Sequence, residues 1–101
     1  MKKSTEEMIQ EKNLTAPRLT PDLIDETIVS EDYYVFPNTT LTICRLELVN
    51  GFSCTGESAA VSMDNFDEEI GRKVARENAR DKIWQLEGYL LKQKLFNSKD
   101  K

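Results

Sequence analysis

Residues 65–96, NFDEEIGRKVARENARDKIWQLEGYLLKQKLF, read as one long helix, and the remainder of the chain reads as what covers it. Asp64 or Asn65 can accept from the first free backbone N–H groups, with Asp67 or Glu68 three residues on as in a capping box. Asp67, Glu68 and Glu69 place negative charge at the positive end of the helix dipole, and Lys92 and Lys94 place positive charge near the other end. No proline interrupts the run. Gly71 and Gly88 are its weak helix formers, each costing about 1 kcal/mol relative to alanine. Glycines kept at that cost commonly admit close packing, so another element is expected to cross near each.

At 100° per residue the apolar side chains fall on two faces. Phe66, Ile70, Val74, Trp84, Leu91 and Leu95 form one stripe, interrupted by Glu77 and Asp81. Ala75, Ala79, Ile83, Leu86 and Leu90 form another, roughly opposite. In 101 residues the upstream part can cover one face, which leaves the second as the expected interface of a homo-oligomer, most simply with a second copy of the same helix. The alternative is that a curved sheet and a short first helix wrap both faces within one chain. Small domains are marginal alone, which favours the oligomer.

Composition bounds the class. The length suits one domain, with 32 % charged and 39 % hydrophobic residues as in a globular protein with polar margins. No segment approaches the 18 consecutive apolar residues of a membrane span, and the first residues, MKKSTEEMIQEKN, lack the apolar core of a signal peptide, so a cytoplasmic location and no membrane partner are expected. A net charge of -4 argues against broad charge-driven binding to nucleic acid. The charge is uneven: residues 1–66 hold 11 acidic and 5 basic side chains, residues 67–101 hold 7 and 9. Arg72, Lys73, Arg76, Arg80 and Lys82 cluster within three turns. Such a ridge either meets a phosphate or an acidic partner, or is an ordinary solvated face paired with Asp67, Glu68, Glu69 and Glu77, the commoner case.

In chain order, residues 1–18 are polar and aperiodic and read as a disordered tail, as do residues 98–101, leaving 19–97 as a single domain. Thr20 and Pro21 mark a helix start, predicted to run to about Ser30 with Leu23, Ile24, Ile28 and Val29 packing inward. Glu31 to Asn38 is an aromatic-rich extended piece ended by a turn at Pro37 and Asn38. Its Tyr33, Tyr34 and Phe36 either stack on a ligand ring or fill a small core, again the commoner case.

Asn50-Gly51, between Thr40–Val49 and Phe52–Val61, is a strong hairpin signal for a two-residue type I′ turn. That loop pairs Leu48 with Ser53, Leu46 with Thr55 and Cys44 with Glu57. It sends Cys44 and Cys54 to opposite faces, free of a disulfide, and sets Glu57 on an otherwise apolar face. A carboxylate there needs a basic partner from the long helix or a polar cavity. Glu57 and Ser58 are therefore the first candidates for a site, with Arg72, Arg76, Arg80, Tyr33 and Tyr34 as further ligand-binding candidates.

Tyr34, Phe36-Pro37, Asn50-Gly51-Phe52, Gly56-Glu57-Ser58, Asn65-Phe66-Asp67, Ile70-Gly71, Ala75, Ala79, Ile83-Trp84 and Leu86 to Leu90 also carry a resemblance. Over Leu19 to Phe96 the chain resembles the small tailed-bacteriophage proteins typified by the forty-ninth gene product of one coliphage and the sixty-sixth of a Shigella phage. The resemblance implies a phage origin and an infected bacterial cell as the setting. It supplies no catalytic residues to carry over.

The chain has no histidine, no glycine-rich phosphate loop and no nucleophile elbow, and too few cysteines for a structural zinc site, so no catalytic residues, metal or cofactor are expected. Two functions remain open. One is an oligomeric, non-enzymatic accessory module that binds a host protein, for host takeover or counter-defence. The other is sequestration of a small phosphorylated ligand or nucleic acid through the basic ridge; a purely structural role in the virion stands beside them as a third. A ligand site requires Arg72, Arg76 and Glu57 to converge on a cavity, whereas a protein binder requires an exposed apolar or acidic patch. The fold is expected to be α+β: a short helix, a small antiparallel sheet built on the hairpin, and the long helix packed across it.

Overall fold

In a computed structural model, which describes residues 4–11 and 17–99, the chain is α+β as expected: a three-stranded antiparallel meander with one long helix across one face. The elements are α1 (Thr5–Glu11), α2 (Pro21–Glu26), β1 (Ile28–Val35), β2 (Leu41–Leu48), β3 (Ser53–Ala59) and α3 (Glu68–Lys99). Helix α1 lies within the segment expected as a tail, and its Glu6 pairs with Arg18 of the same segment. Residues 1–3, 12–16 and 100–101, which share the tail expectation, lie outside the described residues.

Helix α2 starts as its sequence dictates: the Thr20 hydroxyl accepts from the Leu23 N–H at 3.2 Å and Pro21 occupies the first turn. It ends four residues before the predicted Ser30. The Thr27 hydroxyl donates to the Ile24 carbonyl at 2.7 Å, and the β-branched pair Ile28-Val29 enters the sheet instead. Between Ile28 and Ser30 the register against β2 shifts, leaving Val29 as a bulge residue.

The β2–β3 hairpin corrects the predicted register. Gly51 has φ 88, whereas Asn50 is not among the residues of positive φ, so the type I′ turn is not formed. The Gly51 N–H donates to Leu48 O and the Leu48 N–H to Phe52 O, both at 2.8 Å, closing a three-residue loop in which glycine takes the left-handed position. The Asn50 side chain accepts from the Phe52 N–H at 3.0 Å. The extra loop residue slides every pair by one: Leu46 faces Cys54, Cys44 faces Gly56 and Ile43 faces Glu57. Because side chains alternate, the slip exchanges the faces of β3. Cys44 and Cys54, expected on opposite faces, are buried together under α3 as free thiols, and Glu57 moves to the exposed face.

Helix α3 begins later than predicted. Ser62 caps a short 3₁₀ turn at Met63–Asn65, and Asp67 caps the α-helix itself, its carboxylate accepting from the Ile70 N–H at 3.1 Å. The core consists of Ile24, Cys44, Leu46, Leu48, Cys54, Ala75, Ala79 and Ile83, with Leu19, Ile28, Tyr33 and Trp84 packed against it. This corrects the interface assignment: Ala75, Ala79 and Ile83, set aside for a second copy, are wholly buried against their own sheet. The other stripe leaves Ile70 62 % exposed. Small side chains decide the matter. A Cβ on Gly56 would lie 2.2 Å from Ala79 N and 2.3 Å from Ala75 O, so the β3 backbone rests directly on α3 at the two alanines. Gly71 likewise admits Thr42, whose hydroxyl would lie 2.9 Å from an added Cβ, while at Gly88 only Leu19 comes within 4.0 Å.

Candidate functional site

Arg76 and Arg80 face inward from the basic ridge and act as staples. Arg76 donates from Nε to Glu31 Oε2 at 2.6 Å, joining α3 to β1. Arg80 donates to Asp25 Oδ1 at 2.8 Å and to Pro21 O at 3.1 Å, joining α3 to α2, and its guanidinium lies 5.9 Å from the Trp84 ring centre. The Glu31 hydrogen bond raises the Arg76 pKa further above its already basic value. Among the described residues Arg72 pairs only with Glu68, one turn back, at 3.5 Å.

Tyr33 lies on the helix-facing side of β1 beside Cys44. Burial, with the neighbouring Cys44 thiol and Glu31 carboxylate, pushes its phenol up to about 12. Burial also raises the Cys44 and Cys54 thiols above their ordinary value. Tyr34 points the other way. Glu57 sits exposed on β3, at the far edge of the sheet from β1, and the Asn78 amide of α3 donates to its carbonyl oxygen at 2.8 Å. Ser58, half-buried, alternates to the helix side. The seven ligand-binding candidates are thus spread over both sheet faces and both sheet edges, with no common cavity among the described pockets.

The outer face of the sheet, which the sequence reading did not single out, is instead the coherent surface. Tyr34 and Phe36 meet edge to face with ring centres 4.8 Å apart, Tyr34 stands opposite Ile43, and Leu41 and Ala59 continue the patch. Tyr34 is 55 % exposed although it pairs with a hydrophobic neighbour, because none of the described elements is layered over this side. Across the rest of the face, Arg45 donates to Asp32 Oδ2 at 2.6 and 3.0 Å and to Ser53 Oγ at 3.1 Å, and approaches Glu47 at 3.8 Å. With Arg45 already satisfied, Asp32, Glu47 and Glu57 leave the face net acidic. The signal that could have revealed it was Gly56. A glycine facing two alanines fixes which side of β3 meets the helix, and Tyr34, Ile43 and Glu57 follow by alternation.

The motifs behind the phage resemblance have structural roles: Gly56 lets the helix seat, the Glu57 carbonyl anchors Asn78, Asp67 caps α3 and Gly71 admits Thr42. The sequence profile of the family described as phage protein (N4 Gp49/phage Sf6 gene 66) matches residues 19–95. The chain belongs to this phage protein family. No curated protein and no solved structure matches it. Among the described residues of this phage protein, no helix is long and apolar enough to cross a membrane, and no three His, Cys, Asp or Glu side chains are grouped to hold a metal ion.

Proposed function

We propose that the protein is a non-enzymatic phage accessory module that engages a host protein through the outer face of its sheet. The observation that carries this reading is the patch of exposed Tyr34 and Phe36 with half-buried Leu41 and Ile43, beside the exposed carboxylate of Glu57. An exposed aromatic cluster rimmed by polar groups has the composition of an interaction surface, and its acidity suits a partner that presents an apolar knob among basic side chains. Phage family membership supplies the setting, an infected cell in which host proteins are available as partners. The absence of histidine from the chain is in keeping with a binding rather than a catalytic role. Sequestration of a phosphorylated ligand or nucleic acid draws less support, since the charges of Arg76 and Arg80 are already paired with Glu31 and Asp25.

The test is affinity capture from bacterial lysate, followed by direct binding of the identified protein to purified parent and variants. Ile43→Asp is expected to abolish binding while the circular dichroism spectrum stays that of the folded parent, and Arg72→Ala to leave binding intact. Binding that survives Ile43→Asp, or depends on Arg72, overturns the reading.

A further inference from the structure

Helix α3 is much longer than the sheet it covers. Its 32 residues span about 48 Å, whereas the eight residues of β2 span about 27 Å. The last buried side chain of α3 is Ile83, Leu86 reaches the hairpin tip at Leu48 and Phe52, and from Lys92 to Ser98 every side chain is exposed. The seam that faces the core does not stop there. Ala79, Ile83, Leu86, Leu90, Gln93 and Asn97 follow the alternating four- and three-residue spacing of a helix-pairing seam, and the last three overrun the sheet. Leu90 forms a ridge between two grooves of about 350 and 470 Å³. The first is closed by Phe52, Leu86 and Tyr89, the second by Leu19, Leu23 and Leu91.

We infer that this overhang pairs with the same segment of a second copy, antiparallel and across a two-fold axis. Two-fold pairing demands a surface complementary to itself. In an antiparallel helix pair, residues flanking the seam meet residues of the same flank. One flank carries Glu87 and Lys94, seven residues apart, so Glu87 meets the partner's Lys94 and the reverse pair forms by symmetry. The other flank carries Tyr89 and Phe96, which meet as aromatic pairs. A parallel arrangement leaves these charges unmatched.

The area is sufficient. Leu86, Tyr89, Leu90, Phe96 and Phe52 are 40 %, 71 %, 51 %, 58 % and 54 % exposed. That amounts to roughly 600 Å² available on each copy, and its complete burial would remove about 1,200 Å² from the pair, the lower bound of a stable interface. Gln93 and Asn97, already hydrogen-bonded to one another at 3.0 Å, place polar groups in the seam that fix its register rather than its strength. This surface lies on the helix and the hairpin tip, apart from the outer sheet face, so the inference stands independently of the host-protein reading.

Light scattering on the full chain should give twice 11.6 kDa. Leu90→Glu should give a monomer with unchanged helical circular dichroism. Glu87→Lys and Lys94→Glu should each raise the dimer dissociation constant about tenfold, and the double reversal should return it to near the parent value. Ile43→Asp, on the sheet, should leave the mass unchanged. A parent that is monomeric at its highest soluble concentration overturns the inference and leaves the grooves to another partner. So does a dimer that survives Leu90→Glu, that Ile43→Asp dissolves, or whose double reversal is no better than the singles.

Discussion

Adding a single methyl group at Gly56 should damage this fold more than removing most side chains. The glycine does not occupy a positive φ, so alanine is conformationally acceptable and somewhat better suited to a strand. The entire penalty is contact. The new Cβ would lie 2.2 Å from Ala79 N and 2.3 Å from Ala75 O, where ordinary contact begins at 3.4 Å, and both atoms belong to the helix backbone and cannot rotate away. Relief requires α3 to lift from β3 by about 1 Å, and a gap of that size forfeits a quarter to a half of the dispersion energy along the seam. With Ala75, Ala79, Ile83, Cys54 and Leu46 on that seam, the cost is expected at about 3 kcal/mol, the upper end of overpacking. For a domain of this size that lowers the melting temperature by about 12 to 24 °C. The assay is thermal denaturation followed at 222 nm, alongside Gly88→Ala. There the added methyl meets only Leu19 at 4.0 Å, and the gain in helix propensity should raise the melting temperature by several degrees. A Gly56→Ala protein that melts within a few degrees of the parent would refute the close seating of helix on sheet.

Three further outcomes follow from the same structure. Trp84→Ala should cost about 2 kcal/mol rather than the 3–5 of a fully buried tryptophan, since its ring is half-buried beneath Arg80; an unchanged urea midpoint would place the ring outside the packing. Thr42→Val should stabilise by about 1 kcal/mol, because the Thr42 hydroxyl is buried without a hydrogen-bond partner and valine has the same shape; a loss of stability would show that the hydroxyl is bonded after all. Stability should also fall at alkaline pH. The Tyr33 phenol is raised in the folded state from 10.0 to about 12, so its contribution is fully present below about pH 10 and lost as the pH rises through about 12. Cys44 and Cys54, raised from 9.0 by burial, act in the same direction from about pH 9 upward. Melting temperatures measured from pH 8 to 12 should decline less steeply in Tyr33→Phe, and identical slopes would remove Tyr33 from the account.

The fold class was legible because each element carries its own local chemistry: Thr20-Pro21 starts α2, Pro37-Asn38 turns β1 into β2 with Asn38 at φ 62, and an uninterrupted helical run makes α3. The faces were not legible, and the reason is a single residue. Asn-Gly suits a type I′ turn and equally a three-residue loop with glycine last, and the two differ by one position of register. Sequence spacing cannot separate them. Tertiary packing does, since only the observed register presents Gly56 to Ala75 and Ala79. That same slip misplaced Glu57 and hid the outer face. The ridge arginines misled for a different reason: Asp25 and Glu31, which neutralise Arg80 and Arg76, lie 55 and 45 residues away in the chain, beyond the reach of helical spacing rules. The two apolar stripes of α3 were correctly found, but Ala75, Ala79 and Ile83 of the stripe set aside for a second copy are what meets the sheet, and only its Leu86 and Leu90 stay exposed. A stripe of alanines looks too small to anchor a core until the strand beneath it proves to carry a glycine.

Which sheet face is open decides where a partner can dock, and thiol accessibility measures it most directly. In the parent, Cys44 and Cys54 should both resist a thiol reagent until the protein is denatured, when both react. With both replaced by alanine, Ile43→Cys and Glu57→Cys should each react rapidly in the folded state. Rapid modification of Cys54 in the native parent, together with protection at position 57, would restore the other register and contradict the account.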